Sequence, residues 1–214
     1  MPTLYVVATP IGNLSDMSPR AIETLRSVQL IAAEDTRVTM KLLNAFDIST
    51  PLTSCHEHNE RSKAVQIAER MLAENIDVAV TTDAGTPCIS DPGSVLVREA
   101  AERGIPVVAV SGPTAMASAL SVSGMDISEF TFYGFLPRQK NELREKLTDM
   151  ARHSKIAVVH ESPHRVVELL QQVQAVLPHT DVSASCDLTK KFEQTLRGPV
   201  EQVHRLLEEN PKAD

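Results

Sequence analysis

The thirteen residues Thr81-Thr-Asp-Ala-Gly-Thr-Pro-Cys-Ile-Ser-Asp-Pro-Gly93 carry more chemistry than a connection needs. Gly85 and Gly93 permit positive φ and close backbone approach, while Pro87 and Pro92 stiffen the path. The stretch follows an apolar run (Ile76, Val78, Val80) and precedes a short helix predicted over 95–103. At the carboxyl end of a strand in an open α/β sheet, such backbone holds a ligand. The plain alternative is a rigid connection between strand and helix.

Other polar stretches follow apolar runs in the same way, at 9–13, 34–37, 56–60 and 111–114. Together with 83–87 they converge on one side of a first sheet. Hydroxyls, glycines and charges in that many loops suggest a ligand cleft between two halves. His56 and His58 have no third ligand at a telling spacing, so hydrogen bonding or substrate contact is favoured over a metal. His160 and His164 flank Glu161-Ser162-Pro163, which reads as a strand-to-helix turn. Cys88 lies among Asp83 and Asp91, a setting that disfavours a reactive thiolate.

The elements that must position these loops alternate. Apolar runs predict strands over 4–8, 28–33, 51–55, 76–80, 106–110, 130–135, 156–160 and 181–188. Between them lie helices opened by Ser18-Pro19 and by Ser162-Pro163, and others ending near Phe46 or spanning 60–74, 95–103, 115–123, 138–155 and 200–209. The helix over 60–74 has the clearest stripe, with Ala64, Ile67, Ala68, Met71 and Leu72 on one face. The alternation means an α/β fold with a largely parallel sheet. No GxGxxG fingerprint and no P-loop is present, which argues against the usual dinucleotide and ATP chemistries.

With 214 residues, 42% hydrophobic and 23% charged, the chain can bury a real core and is not disordered in composition. The three cysteines are scattered, with no CxxC pair, which predicts a reducing compartment. No apolar run approaches a membrane span, so a cytoplasmic protein without a membrane partner is expected. The net charge of −7 argues against a generic nucleic-acid coat. The helix over 138–155 is a local exception, with six cations (Arg138, Lys140, Arg144, Lys146, Arg152, Lys155) against three carboxylates. It is a candidate phosphate-tracking face, though such a helix is more often merely solvated.

Read in order, the loops resemble a known set: Thr9-Pro-Ile-Gly-Asn-Leu14, Ala33-Glu-Asp-Thr-Arg37, His58-Asn-Glu60, Asp83-Ala-Gly-Thr-Pro87, Ser90-Asp-Pro-Gly93, Gly134-Phe-Leu-Pro137, Glu161-Ser-Pro-His-Arg165 and Leu188-Thr-Lys190. The chain is similar, from Leu4 to about Leu207, to the tetrapyrrole methylase superfamily, in its branch of ribosomal RNA cytidine 2′-O-ribose methyltransferases. The resemblance implies two α/β domains, 1–112 and 113–214, with S-adenosylmethionine in a cleft between them, and a homodimer acting on small-subunit ribosomal RNA or the ribosomal subunit. It places cofactor binding on Asp83, Ala84, Gly85, Thr86, Gly112, Pro113, Thr114, Ala115, Glu161 and Ser185. It places the RNA on Pro10, Asn13, Arg37, Asn59 and Lys190. The sequence departs from the family pattern at Thr82 (usually Ser), Ser111 (usually Pro) and Cys186-Asp187 (usually Arg-Glu), and the second domain is expected to lack a final strand.

The reaction so implied is in-line methyl transfer to a ribose 2′-hydroxyl, with no metal. Asp35, Glu60 and His58 are the catalytic candidates, Asp35 first because its loop follows a strand end; Glu34 is a further carboxylate nearby. A tetrapyrrole-like small-molecule methyltransferase and a cofactor-binding module without turnover stand as alternatives.

Overall fold

Short apolar runs close to the amino terminus become buried strands because helices cover both of their faces. A computed structural model describes residues 1–209, and the chain divides into two units, Met1–Thr114 and Ala115–Asp214. Residues 210–214, where the sequence is expected to end without a further strand, lie outside the described residues.

In the first unit, strands β1 (Leu4–Val7), β2 (Leu30–Ala33), β3 (Leu52–Ser54), β4 (Val78–Thr81) and β5 (Val107–Val110) form one sheet in the order β3-β2-β4-β1-β5. Every pairing in it is parallel. Helices α1 (Pro19–Ser27) and α2 (Thr36–Ala45) alternate with the strands, as do α3 (Glu60–Glu74) and α4 (Ser94–Glu102).

Side-chain alternation along the strands sorts the core into two layers. Leu4, Leu30, Ala32, Val78 and Val80 pack with Ala64, Ile67, Ala68 and Met71 of α3 and with Leu96 and Ala100 of α4. Val7, Ile31, Ala79 and Val110 pack with Ala21 and Leu25 of α1 and Leu43 of α2. After β1 the chain turns toward β2, whereas after β4 it turns toward β5. The connections thus run in opposite senses after the neighbouring strands β1 and β4, and the carboxyl ends of strands at such a switch point are where open α/β sheets keep their ligand crevice.

The start of α1 follows its sequence signal. Ser18 accepts a hydrogen bond from the Ala21 amide and Pro19 occupies the first turn, where no amide donor is needed.

The second unit holds α5 (Ala115–Val122), β6 (Thr131–Phe135), α6 (Lys140–His153), β7 (Ala157–His160), α7 (Val166–Val176), β8 (Asp181–Cys186), β9 (Gln194–Pro199) and α8 (Val200–Glu209). Strands β6 and β7 pair in parallel, while β8 and β9 form an antiparallel hairpin. The sequence does not announce β9, because Gln194–Pro199 contains Gly198 and Pro199 and only one aliphatic residue. Helix α7 begins later than Ser162-Pro163 predicts. The Ser162 carbonyl accepts the amides of Arg165 and Val166, so Pro163 to Arg165 form a turn that leads into the helix. No helix among the described residues is long and apolar enough to cross a membrane.

Candidate functional site

In the first unit, the loops after β1, β4 and β5 are sewn together at the crevice. Thr9 and Gly85 exchange backbone hydrogen bonds, Thr9 N to Gly85 O at 2.9 Å and Gly85 N to Thr9 O at 3.0 Å. The Thr9 hydroxyl donates to the Thr82 carbonyl at 3.1 Å, and the Thr86 hydroxyl donates to the Pro113 carbonyl at 3.2 Å. Gly85 needs its φ of +92° to make this turn. Gly112 lies so close to β1 that a Cβ there would sit 2.9 Å from the Ala8 Cβ. Asp83, Ala84, Gly85 and Thr86 therefore stand beside Gly112, Pro113 and Thr114.

A network of carboxylates borders this crevice. Glu34 Oε2 accepts from the Thr82 hydroxyl at 2.5 Å and from the Asp83 amide at 3.2 Å, and Asp83 Oδ1 accepts from the Asp35 amide at 3.1 Å. Burial and the neighbouring Glu34 raise the pKa of Asp83. Burial, then Glu34, push Asp91 up from 3.8 to about 6. No signal local to Asp91 could have disclosed this, because its perturbers come from β2 and β4.

A pH dependence follows from Asp91. A carboxyl whose folded pKa is raised favours the protonated folded state, so its contribution to stability is present at low pH and lost as pH climbs from about 4 through about 6. Asp91→Asn is expected to melt like the wild type near pH 4 and above it at pH 7, as scanning calorimetry across that range would reveal. An unchanged pH profile would assign Asp91 an ordinary carboxyl.

Asp35 does the opposite. It caps α2 by accepting the Arg37 amide at 2.8 Å and pairs with the Arg37 guanidinium at 2.6 Å. Those hydrogen bonds hold its carboxyl down at about 2. Such a group is a weak proton acceptor near neutrality. Glu60 is also engaged structurally, since its Oε1 accepts the amides of Gly93 at 2.6 Å and Val95 at 3.0 Å. His58 is exposed, with its ring edge-on to His56 at 5.9 Å.

The residues expected to meet RNA take varied positions. Pro10 is half-buried in the loop after β1, and Asn13 accepts from the Ser15 amide at 3.0 Å. Asn59 holds its own turn, accepting from the His56 amide at 2.9 Å and donating to the Ser54 hydroxyl at 3.3 Å. The Arg37 side chain is 87% exposed. Lys190, in the second unit, pairs with Asp187 at 2.8 Å.

In that second unit Ala115 opens α5, and Ser185 exchanges a hydroxyl hydrogen bond with Thr195 at 3.1 Å. The Glu161 side chain is only 5% exposed. Its Oε1 accepts the Ser162 amide at 2.8 Å and lies 3.4 Å from Arg165, while its buried Oε2 has no partner among the described residues. His160 Nε2 and Ser183 Oγ are likewise buried without partners among them. Burial lowers the His160 pKa, favouring the neutral imidazole.

A family model described as Tetrapyrrole (Corrin/Porphyrin) Methylases matches residues 3–204. The chain belongs to this family. Among its curated relatives, Ribosomal RNA small subunit methyltransferase I of Halalkalibacterium halodurans is 45% identical over 201 residues, covering 94% of this chain and 69% of the relative. The protein of the same name from Bacillus subtilis is 43% identical over 203 residues, covering 95% and 69%. Among solved structures, diphthine synthase superposes with a TM-score of 0.71 at 12% identity, covering 95% of this chain and 84% of that one. The methyltransferase CobJ superposes with a TM-score of 0.67 at 16% identity, covering 94% and 87%. At those identities the structural likeness speaks to the fold, which is the α/β methylase fold predicted from the sequence.

S-adenosylmethionine carries a sulfonium and an ammonium beside its adenosine, and the first unit gathers carboxylates whose charge is opposite to those two cations. The carboxylates of Glu34, Asp83 and Asp91 offer negative potential for the cationic part. In the second unit, taken by itself, Glu161 Oε2 is a buried acceptor without a partner among the described residues. The thiol of Cys88 is not part of this chemistry, because burial and then Glu60 push it up to about 11.

Proposed function

We propose that this chain transfers a methyl group from S-adenosylmethionine to a cytidine ribose 2′-hydroxyl in small-subunit ribosomal RNA, working as a homodimer in the cytoplasm. The observation that carries the proposal is the 45% identity over 94% of the chain to a protein named Ribosomal RNA small subunit methyltransferase I. The joined turns at Gly85 and Pro113 support it by supplying a preformed backbone cradle.

The cofactor residues are Asp83, Ala84, Gly85, Thr86, Gly112, Pro113, Thr114 and Ala115, together with Glu161 and Ser185. Bound S-adenosylmethionine supplies a methyl group already activated by positive sulfur. The protein's own work is then mainly alignment, which can contribute roughly 7–11 kcal/mol. Removal of the hydroxyl proton adds about 10²–10⁴-fold. Of the three catalytic candidates, His58 is the base this reading favours, because its imidazole is exposed while Asp35 and Glu60 are engaged in helix caps. Asp35 acts through Arg37, holding the guanidinium ready for phosphate, and Lys190 offers a second cation. Pro10, Asn13 and Asn59 shape the RNA-facing loops.

The test is calorimetry with S-adenosylmethionine, followed by mass mapping of ribosomal RNA after incubation with small subunits. A single cytidine gaining a ribose-linked methyl is expected. Transfer to a porphyrinoid acceptor and not to RNA would replace this reading with a small-molecule one, and tight cofactor binding without transfer would leave a binding module.

A further inference from the structure

Phe135 is the one residue of the Gly134-Phe-Leu-Pro137 motif that faces water, and the strand is deformed to put it there. Along β6 and β7, Phe132 pairs with Val158, Gly134 with Val159 and Phe135 with His160. Tyr133 is therefore an extra residue, and Gly134 adopts a φ of +64°. In a regular strand, residues three apart point to opposite faces. Here the bulge returns Phe132 and Phe135 to one face, where both rings meet the His160 ring edge-on, at 5.0 Å and 5.7 Å. Tyr133 goes to the core with Leu143 and Leu147, its hydroxyl bonded to Ser154 and its ring under the Lys146 ammonium.

The result is a phenyl ring braced by His160 yet 62% exposed. Bulges re-aim side chains, and this one turns a large apolar ring away from the burial that apolar surface favours. The chain beyond it carries Arg138, Lys140 and Arg144, all exposed and none paired with a carboxylate among the described residues. An aromatic face beside free cations on an otherwise acidic chain matches an unpaired nucleotide, whose base stacks while its phosphate is neutralised. A second copy of this chain fits less well, since it would bring the same cations to the contact.

We propose that Phe135 is the platform on which one unpaired base of the RNA substrate stacks, with Arg138 and Lys140 holding the flanking phosphates. The proposal rests on the ribosomal RNA reading above. The chain has no tryptophan, so Phe135→Trp adds a sole indole reporter. Its emission is expected to be quenched saturably by a cytidine-containing single-stranded oligoribonucleotide and by small ribosomal subunits. Phe135→Leu, which keeps bulk but not the π face, is expected to raise KM for subunits by about 5- to 150-fold. Phe135→Trp, which keeps a π face, should raise KM far less than Phe135→Leu, and both variants should bind S-adenosylmethionine normally. Arg138→Gln with Lys140→Gln should flatten the salt dependence of RNA binding.

Unchanged emission at saturating RNA, or a wild-type KM in Phe135→Leu, would overturn the proposal. So would emission that follows protein concentration and ignores RNA, which would make the face a contact between copies. If the wild type methylates no RNA, the functional reading fails by itself. The indole titration then still decides the platform, because quenching by the oligonucleotide upholds it and its absence removes it.

Discussion

Gly112→Ala is expected to weaken S-adenosylmethionine binding by at least about tenfold, a loss of about 1.4 kcal/mol or more, while the fold survives. The added methyl would lie 2.9 Å from the Ala8 Cβ and 3.5 Å from the Ala8 carbonyl oxygen. Ala8 cannot give way: it is buried, and its amide is fixed to the Val110 carbonyl at 3.2 Å. The turn at 111–114 must then lift off β1, at an overpacking cost of about 1–3 kcal/mol. Because the Thr86 hydroxyl is bonded to Pro113, the displacement passes to the loop that carries Asp83 and Gly85. Gly104→Ala is the control. Its φ is +72° and no atom lies within 4 Å of the position a Cβ would take. It bears backbone strain of about 1–2 kcal/mol without touching the crevice, so calorimetry should return wild-type cofactor affinity. Equal affinities for wild type and Gly112→Ala would remove this turn from the cofactor site.

The elements that sequence discloses here are those whose stabilisation is local or periodic. Helix α3 spans the predicted 60–74, because its apolar stripe and its left-handed Asn75 cap are both written within one stretch. Helix α8 likewise begins where predicted, at Val200. Strand β9 escapes notice because its reason is non-local: Gln194 to Pro199 is extended through its ladder with Cys186 to Asp181. The bulge in β6 has one sequence hint, Gly134, but which ring it exposes depends on pairing with β7. At the site, the glycine turns singled out in the sequence are the ones through which the loops after β1, β4 and β5 are joined. The division of labour among the carboxylates is not legible there, since Asp35, Glu60 and Asp91 read alike until their partners are known. Asp35 caps its own helix, Asp91 is perturbed by burial and then by Glu34, and Glu60 answers to a loop 33 residues away.

Glu60 is where this distinction has the largest consequence for stability. Glu60→Ala is expected to cost about 3 kcal/mol, since it removes a charged acceptor from two amides, one of them buried. For a chain of this size that corresponds to roughly 6–12 °C in Tm. Those amides belong to Gly93 and Val95, at the start of α4, and Gly93, held at a φ of +124°, is a glycine with no side chain to cap the helix itself. Glu60 thus closes the end of the 81–93 loop from α3, and without it the loop loses its anchor and cofactor affinity falls as well. Glu60→Gln separates this role from catalysis. Its amide oxygen can still accept from Gly93 and Val95 but cannot take up a proton, so a structural Glu60 predicts a Tm within a few degrees of wild type and near-normal methyl transfer. A Glu60→Gln protein that melts normally, binds S-adenosylmethionine and transfers nothing would instead make Glu60 the base, and would displace His58 from that role.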